Sequence, residues 1–180
     1  MSLHRGSTPR STGGEGSPSS PVVLSLGLGN PLRRDDGIGP RVIEELARED
    51  LPDAITALDG GTGGLDILRV IEGWDNVIIV DAANVDAGRG EVSPGEFVRF
   101  TPDQVRLTET EDNLSLHHAG LAEVFGLARA LDYPLPSIVI FGVQPGDVSW
   151  GEGLSSSVTA GLPTLVEAVR SEAEKRVREA

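Results

Sequence analysis

Short apolar runs alternate along the chain with segments whose apolar residues recur at helical spacing. Four runs predict buried strands, over residues 22–28, 55–58, 76–80 and 137–143. Residues 95–100 alternate polar and apolar side chains, as an edge or antiparallel strand does. Apolar residues at helical spacing predict helices over residues 38–48 and 65–71, along a stripe from Leu121 to Leu131, and along a C-terminal stripe from Leu162 to Ala173. Pro163 is predicted either to start or to kink the last of these helices. This order predicts a three-layer α/β/α sandwich around a mostly parallel, mixed sheet of about five strands.

The beginning of the chain has a different composition from the rest. Residues 1–20 are rich in Ser, Gly, Pro and Thr and contain almost no apolar side chain. Such a segment cannot bury enough surface to offset the entropy that ordering would cost. We therefore expect residues 1–20 to form a disordered tail and residues 21–180 to form a single domain.

The charge balance narrows the possible partners. The chain has 15 basic and 28 acidic side chains, and its net charge of −13 disfavours nucleic acid and anionic membrane surfaces. The absence of cysteine excludes disulfides, thiolate metal sites and cysteine nucleophiles. No apolar run is long enough to span a bilayer and no secretory signal is recognisable, so we expect a cytoplasmic protein. Because no pattern indicates a coiled coil or an oversized apolar face, we expect a monomer.

Acidic residues stand where two of the predicted strands end. Asp59 follows the second strand and runs directly into glycines, and Asp81 directly ends the central strand. Ligands bind off the carboxyl ends of parallel strands, so both positions are candidate site residues. A buried Asp81 must be hydrogen-bonded, paired with an arginine or bound to a metal, which leaves a structural role open beside the functional one.

Two more acids and two histidines have ambiguous roles. Asp35 and Asp36 precede the first predicted helix, where one Asp would suffice as a cap, so the pattern favours cap and ligand about equally. His117 and His118 precede the helix of Leu121, and we expect at most one of them to share a site with the aspartates. A lone histidine is more often structural. Two Asp and one His would nevertheless make an O,O,N ligand set suited to a divalent transition metal.

Other catalytic or cofactor motifs are incomplete or missing. The G-x-G at residues 27–29 lacks the third glycine of a dinucleotide fingerprint, because Leu32 stands in its place. The serines at 155–157 lack the G-x-S-x-G context of a serine hydrolase, and we expect them to cap the last helix. The sequence contains no H-E-x-x-H segment of a zinc protease.

Five blocks together resemble the hydrogenase maturation proteases, the endopeptidases that trim the C-terminus of the nickel-iron hydrogenase large subunit. The opening block, G-L-G-N-P-L-R-R-D-D-G-I-G at residues 27–39, resembles that family's G-x-G-N-x-L-x-x-D-[ED]-G-x-G. The other blocks follow in order: D-G-G-T-G-G at 59–64, V-I-I-V-D-A at 77–82, S-L-H-H-A-G-L at 115–121, and G-V-Q-P at 142–145 with G-L-S at 153–155. The agreement runs from about residue 22 to residue 170, which makes the resemblance specific.

The resemblance implies a metal site made of Asp36, Asp81 and His117, with His118 at a position where the family varies. It also implies that Asp59 takes part in cleavage or in placing the substrate tail. Nickel would arrive with the substrate, the nickel-iron hydrogenase large subunit precursor, although another divalent metal could occupy the site. We expect specificity for one hydrogenase to reside in the variable loops 83–93 and 101–113.

Two other functions compete with the protease. A non-catalytic chaperone for nickel or for the hydrogenase subunit would keep the same fold. A peptidyl-tRNA hydrolase also opens with a strand and G-L-G-N-P, but it continues to a Tyr and a T-R-H-N segment, and this chain has R-R-D-D at residues 33–36 instead. An RNA-binding enzyme with a net charge of −13 would also be unusual.

Overall fold

The computed structural model describes residues 22–84, 92–104 and 116–179, without the side chains of residues 116–119. The predicted tail, residues 1–20, lies outside the described residues. Parts of the two variable loops, residues 85–91 and 105–115, also lie outside them.

Five strands form one mixed sheet in the order β2-β1-β3-β5-β4. β1, β2, β3 and β5 are parallel, and β4 pairs antiparallel with β5 at one edge. The prediction of a mostly parallel sheet with helices on both faces is therefore confirmed, including the antiparallel edge strand. The bounds are Val23–Gly27 (β1), Ile55–Asp59 (β2), Asn76–Ala82 (β3), Phe97–Phe100 (β4) and Ser137–Val143 (β5).

The described residues also form four α-helices: Ile38–Leu46 (α1), Asp66–Ile71 (α2), Leu116–Ala130 (α3) and Ser156–Glu179 (α4). Pro163 lies inside α4, so the prediction that it starts this helix is wrong. Leu131 lies beyond α3 and is 68% exposed, so it does not belong to the predicted apolar stripe. The chain leaves the helix there through Asp132, whose φ of 50° is left-handed.

The sheet has a hydrophobic core on each face because its central strands are apolar on both sides. In β3, Ile78 and Val80 belong to the cluster formed with α1 and α4. Val77 and Ile79 belong to the cluster formed with α2 and α3. This alternation fixes which face each later residue of β3 occupies. Within the described residues, no helix is both long enough and apolar enough to cross a membrane.

The start of α1 packs against the end of β1 at backbone distance. A Cβ on Gly39 would lie 2.2 Å from the carbonyl oxygen of Leu28, and a Cβ on Gly27 would lie 2.3 Å from that of Gly39. Only glycine allows this approach at both positions. The glycines of the opening block therefore bring the N-terminal end of α1 to the carboxyl end of the sheet.

Candidate active site

Asp59 and Asp81 lie on opposite sides of β1 at the carboxyl end of the sheet. Gly27 in β1 is in register with Asp59 in β2 and with Val80 in β3. Two strand spacings separate the two aspartates, which places their Cα atoms about 10 Å apart. Asp59 is in phase with Ile55 and Ala57, whose side chains pack toward α1 and α4, so the two aspartates mark opposite faces of the sheet at its carboxyl end.

Asp81 is a fully buried acid near the end of the central strand. β3 continues one residue beyond it, to Ala82, because Asp81 and Ala82 still pair with Gly142 and Val143 of β5. The prediction that the strand ends before Asp81 is therefore wrong. Since Asp81 alternates in phase with Ile79, it lies on the side of the sheet that α2 and α3 cover.

Asp36 comes to the same end of the sheet in a 3-10 turn, Arg34–Gly37, that packs against β3. Its side chain is buried, and its Oδ2 accepts a hydrogen bond from the backbone amide of Asn30 at 3.0 Å. α1 begins after Gly37, so neither member of the acidic pair is the N-cap residue of this helix.

Gly29 makes the position of Asp36 possible. Its φ is 129°, and a Cβ there would lie 1.8 Å from the carbonyl oxygen of Asp36. The loop after β1 is thus folded onto the turn that carries the buried acid. No residue with a side chain fits without displacing that turn.

Asp35 has a role that the sequence did not reveal. Its carboxylate is completely buried and accepts four hydrogen bonds from the segment after β5. Oδ2 accepts from the amides of Gly146 and Asp147 and from the hydroxyl of Ser155, each at 2.8 Å. Oδ1 accepts from the amide of Ser155 at 2.6 Å. Asp35 therefore fixes the segment between β5 and α4 against the turn that carries Asp36.

Ser155 directly precedes α4, where the sequence predicts a capping serine. Its hydroxyl lies 3.5 Å from the amide of Val158, which is long for a hydrogen bond, whereas its bond to Asp35 is short. In the same segment, Asp147 accepts a hydrogen bond from Ser149 and forms an ion pair with Arg34 at 3.3 Å. Both contacts, the bonding to Ser149 first, lower the pKa of the Asp147 carboxyl.

Asp59 is the last residue of β2 and is exposed. Its Oδ1 accepts a hydrogen bond from the amide of Gly61 at 2.8 Å, so the carboxylate is held against its own loop. Gly61 has a φ of 62°, which glycine adopts without strain. An exposed, oriented carboxylate at a strand end is well placed to contact a bound polypeptide.

His117 lies in the first turn of α3, and nothing of its side chain or of that of His118 is among the described residues. α3 leads into the amino end of β5, so it runs antiparallel to the parallel strands and begins near their carboxyl ends. Its described residues pack on the face that Asp81 occupies. Outside residues 85–91, 105–119 and the chain ends, no group of three acidic or histidine side chains is close enough to hold a metal. The ligand set Asp36, Asp81 and His117 therefore stays a prediction.

The described donors fit part of a divalent-metal site. Asp36 and Asp81 are two buried carboxylates from different elements, and the turn that carries Asp36 packs against β3. The amide of Asn30 orients the Asp36 carboxylate from outside, as supporting bonds do around metal ligands. Two carboxylates and an imidazole would leave coordination positions open for a substrate.

Comparison with known proteins decides the family. A family model described as hydrogenase maturation protease matches residues 40–172. The chain belongs to the hydrogenase maturation protease family. The same family accounts for the five sequence blocks and for the sheet with its acidic carboxyl end.

Individual family members resemble this chain over most of its length. The chain is 34% identical over 154 residues to the hydrogenase expression/formation protein HupD of Rhizobium leguminosarum bv. viciae, which covers 84% of this chain and 74% of HupD. It is 32% identical over 148 residues to the hydrogenase 2 maturation protease of Escherichia coli (strain K12), covering 82% and 87% of the two chains. The solved structure of the E. coli hydrogenase maturating endopeptidase HybD superposes with a TM-score of 0.71 at 29% identity, covering 86% of this chain and 93% of HybD. This membership supports a peptide-bond hydrolase over a chaperone or a peptidyl-tRNA hydrolase.

Proposed function

We propose that this hydrogenase maturation protease removes the C-terminal extension of a nickel-iron hydrogenase large subunit precursor after nickel insertion. The proposal rests on one observation above all. In a chain of this family, the buried acids Asp36 and Asp81 lie at the carboxyl end of the sheet. The cytoplasmic location and monomeric state expected from the sequence are part of the proposal.

Asp36, Asp81 and His117 are proposed to contact the nickel of the precursor. A set of two carboxylates and one imidazole without a thiolate should bind nickel modestly by itself. The precursor would supply the remaining ligands, so that only the loaded subunit is held firmly. Discrimination between loaded and empty precursor would then come from the difference between their affinities.

Asp59 is proposed to act on the peptide rather than on the metal. It is exposed, and it lies about two strand spacings from Asp81 across β1. A tail anchored by nickel near Asp81 would reach Asp59 by crossing the carboxyl end of β1, since Asp59 is in phase with the residues that face α1 and α4. There the carboxylate would position the tail or accept a proton from the attacking water, an aspartic-type role.

The test offers the enzyme nickel-loaded and nickel-free precursor at equal concentration, each with its tail intact. Mass spectrometry of the subunit measures the removal of the extension. A coupling of about 3 kcal/mol between nickel loading and tail binding would give a preference of roughly 150-fold for the loaded form. A second pair of reactions, with free nickel added to the enzyme, should leave the empty precursor uncleaved.

The alternatives give different outcomes in the same experiment. Equal cleavage of both precursors would contradict recognition through nickel and leave peptide-bond hydrolysis standing. Stable binding of the loaded precursor without cleavage would favour the chaperone.

A further inference from the structure

Leu32 and Trp150 form an exposed apolar patch beside the acidic site. Trp150 is 74% exposed and Leu32 is 53% exposed. The two segments are adjacent, since the amide of Gly151 donates to the carbonyl oxygen of Leu32 at 2.9 Å. Exposed large apolar side chains on adjacent segments are typical of interaction sites. We call these two side chains the Leu32–Trp150 patch.

The patch is exposed and its backbone is firmly held. The amide of Arg34 donates to the carbonyl oxygen of Gly151 at 2.9 Å, which completes a pair of backbone bonds between the two segments. The guanidinium of Arg33 lies 5.8 Å from the centre of the Trp150 ring, and its Nε donates to the carbonyl oxygen of Val148 at 3.3 Å. Asp35 also joins these two segments, because its carboxylate accepts hydrogen bonds from Gly146, Asp147 and Ser155. An anchor ordered in this way loses little entropy when a partner binds.

A groove of about 540 Å³ is lined by Leu32 of the patch and runs beside the turn that carries Asp36. Its apolar lining residues are Pro31, Leu32, Pro40, Leu154 and Leu162. Gly37, the residue after Asp36, also lines it.

Charged and polar side chains also line the groove: Arg34, Arg41, Glu44, Glu152 and Thr159. Arg41 forms ion pairs with Glu44 at 2.9 Å and with Glu45 at 2.6 Å. A surface that combines apolar and charged side chains in this way is typical of protein–protein interfaces.

We propose that the Leu32–Trp150 patch and this groove form the docking surface for the precursor polypeptide. The occupant is a precursor segment that carries apolar side chains and lies next to the one entering the acidic site. The continuity of the groove with Asp36 through Gly37 favours the substrate over a second copy of this chain, because a segment bound there is delivered directly to the site. This inference rests on the proposed function and extends it from the reacting bond to the body of the substrate.

The first experiment separates docking from chemistry by steady-state kinetics on nickel-loaded precursor. Trp150→Ala and Leu32→Ala should each raise KM, about tenfold for Trp150 because exposed tryptophans are frequent binding hot spots, and leave kcat within about twofold. The matched control is Leu131→Ala. Leu131 is 68% exposed, and it lies between α3 and the start of β5, at the opposite end of the sheet. Its truncation should change neither constant.

The second experiment observes the patch without altering it. The chain has two tryptophans, so 5-fluorotryptophan gives two ¹⁹F signals, which the Trp74→Phe variant assigns. Trp74 packs against the core near the start of β3, away from the site. Nickel-loaded precursor should shift or broaden the signal of Trp150 and leave that of Trp74 unchanged.

The two readouts also distinguish failure of this inference from failure of the proposed function. If the wild-type enzyme cleaves the precursor while both patch variants keep their KM, or while the Trp150 signal stays in place, the docking surface is wrong and the protease stands. If the wild-type enzyme neither cleaves nor binds any nickel-loaded precursor, both proposals fall.

Discussion

The carboxylate of Asp35 accepts hydrogen bonds from both the amide and the hydroxyl of Ser155, at 2.6 and 2.8 Å. This contact joins the turn before α1 to the start of α4. The position of the neighbouring Asp36 therefore depends on the last third of the chain. Substitutions around Ser155 should therefore shift Asp36 although they lie outside the acidic site.

Asp35→Ala should destabilise the fold strongly, because it leaves three amide donors and one hydroxyl, all partly buried, without their acceptor. We expect a loss of about 3 kcal/mol in the free energy of unfolding, measured by urea denaturation. Asp147→Ala removes an exposed carboxylate of the same segment and should shift the urea midpoint far less. Similar shifts for the two variants would show that the Asp35 bonds contribute little.

Gly29→Ala should displace Asp36, because the new Cβ would start 1.8 Å from the carbonyl oxygen of that residue. We expect loss of processing activity together with a lower unfolding midpoint. The control is Gly61→Ala, which also has a positive φ but meets nothing within 4 Å. That variant should cost only the backbone strain of about 1 kcal/mol and keep the site. Equal activity in both variants would contradict the steric argument.

Asp81→Asn and Asp59→Asn should impair different steps, substrate binding in the first variant and turnover in the second. The first removes a proposed nickel ligand, so we expect the preference for nickel-loaded precursor to disappear along with binding. The second removes a group proposed to act on the peptide, so loaded precursor should still bind while kcat falls by about a hundredfold or more. Binding is measured by co-elution and turnover by mass spectrometry. Loss of binding in Asp59→Asn with Asp81→Asn unaffected would reverse the two assignments.

His117→Ala should abolish processing, whereas His118→Ala should keep most of it. Both residues lie in the first turn of α3, so a general loss of helix stability would affect the two variants alike. Circular dichroism checks that each variant folds, and the precursor assay measures activity. Equal losses in two folded proteins would overturn the choice of His117 as the ligand.

Glu172 should make stability depend on pH in the acid range. Hydrogen bonds from Arg99 lower its pKa below the ordinary value of 4.5, and Arg176 adds to the effect while burial opposes it. Because the folded pKa is lowered, the contribution is complete above pH 4.5 and is lost as the pH falls through the folded pKa.

Urea unfolding of Glu172→Gln against wild type should therefore show a difference of about 1 kcal/mol at pH 7 that shrinks as the pH falls below 4.5 and is lost once Glu172 is protonated in the folded protein. Glu167→Gln is the control. The pKa of Glu167 is also lowered, chiefly by its hydrogen bond to Arg170, but this pair is exposed and screened by water. A pH-independent difference for Glu172 would contradict the ion-pair explanation.

Local patterns were sufficient for most of the fold. The unbroken apolar run at residues 137–143 predicted the bounds of β5 without error. The run in β3 predicted its start, but the polar Asp81 was interpreted as its end. The ladder to Gly142 and Val143 extends the strand further, and no property of the β3 sequence alone indicates how far its partner reaches.

The candidate site could be predicted only in part, because some of its contacts join distant parts of the chain. The pairing of Asp35 with Asp36 suggested that one acid would cap α1, yet the partners of Asp35 lie more than a hundred residues away. Such contacts arise from topology and leave no local signal. The position of Asp81 after an apolar central strand marked it as a candidate site residue, whereas Asp36 was distinguished from Asp35 only by the resemblance to the protease family.

The apolar run of β3 has a consequence for insertions and deletions. All four residues 77–80 are apolar, so a slip of the strand by one residue would exchange the side chains of the two cores without exposing any of them. The same slip would turn Asp81 to the face of α1 and α4 and move Asn76 away from Arg176, whose Nη1 donates to it at 2.8 Å. A one-residue deletion in this strand should therefore give a folded, inactive protein. The register of β3 is therefore required by the positions of Asp81 and Asn76 more than by the packing of the two cores.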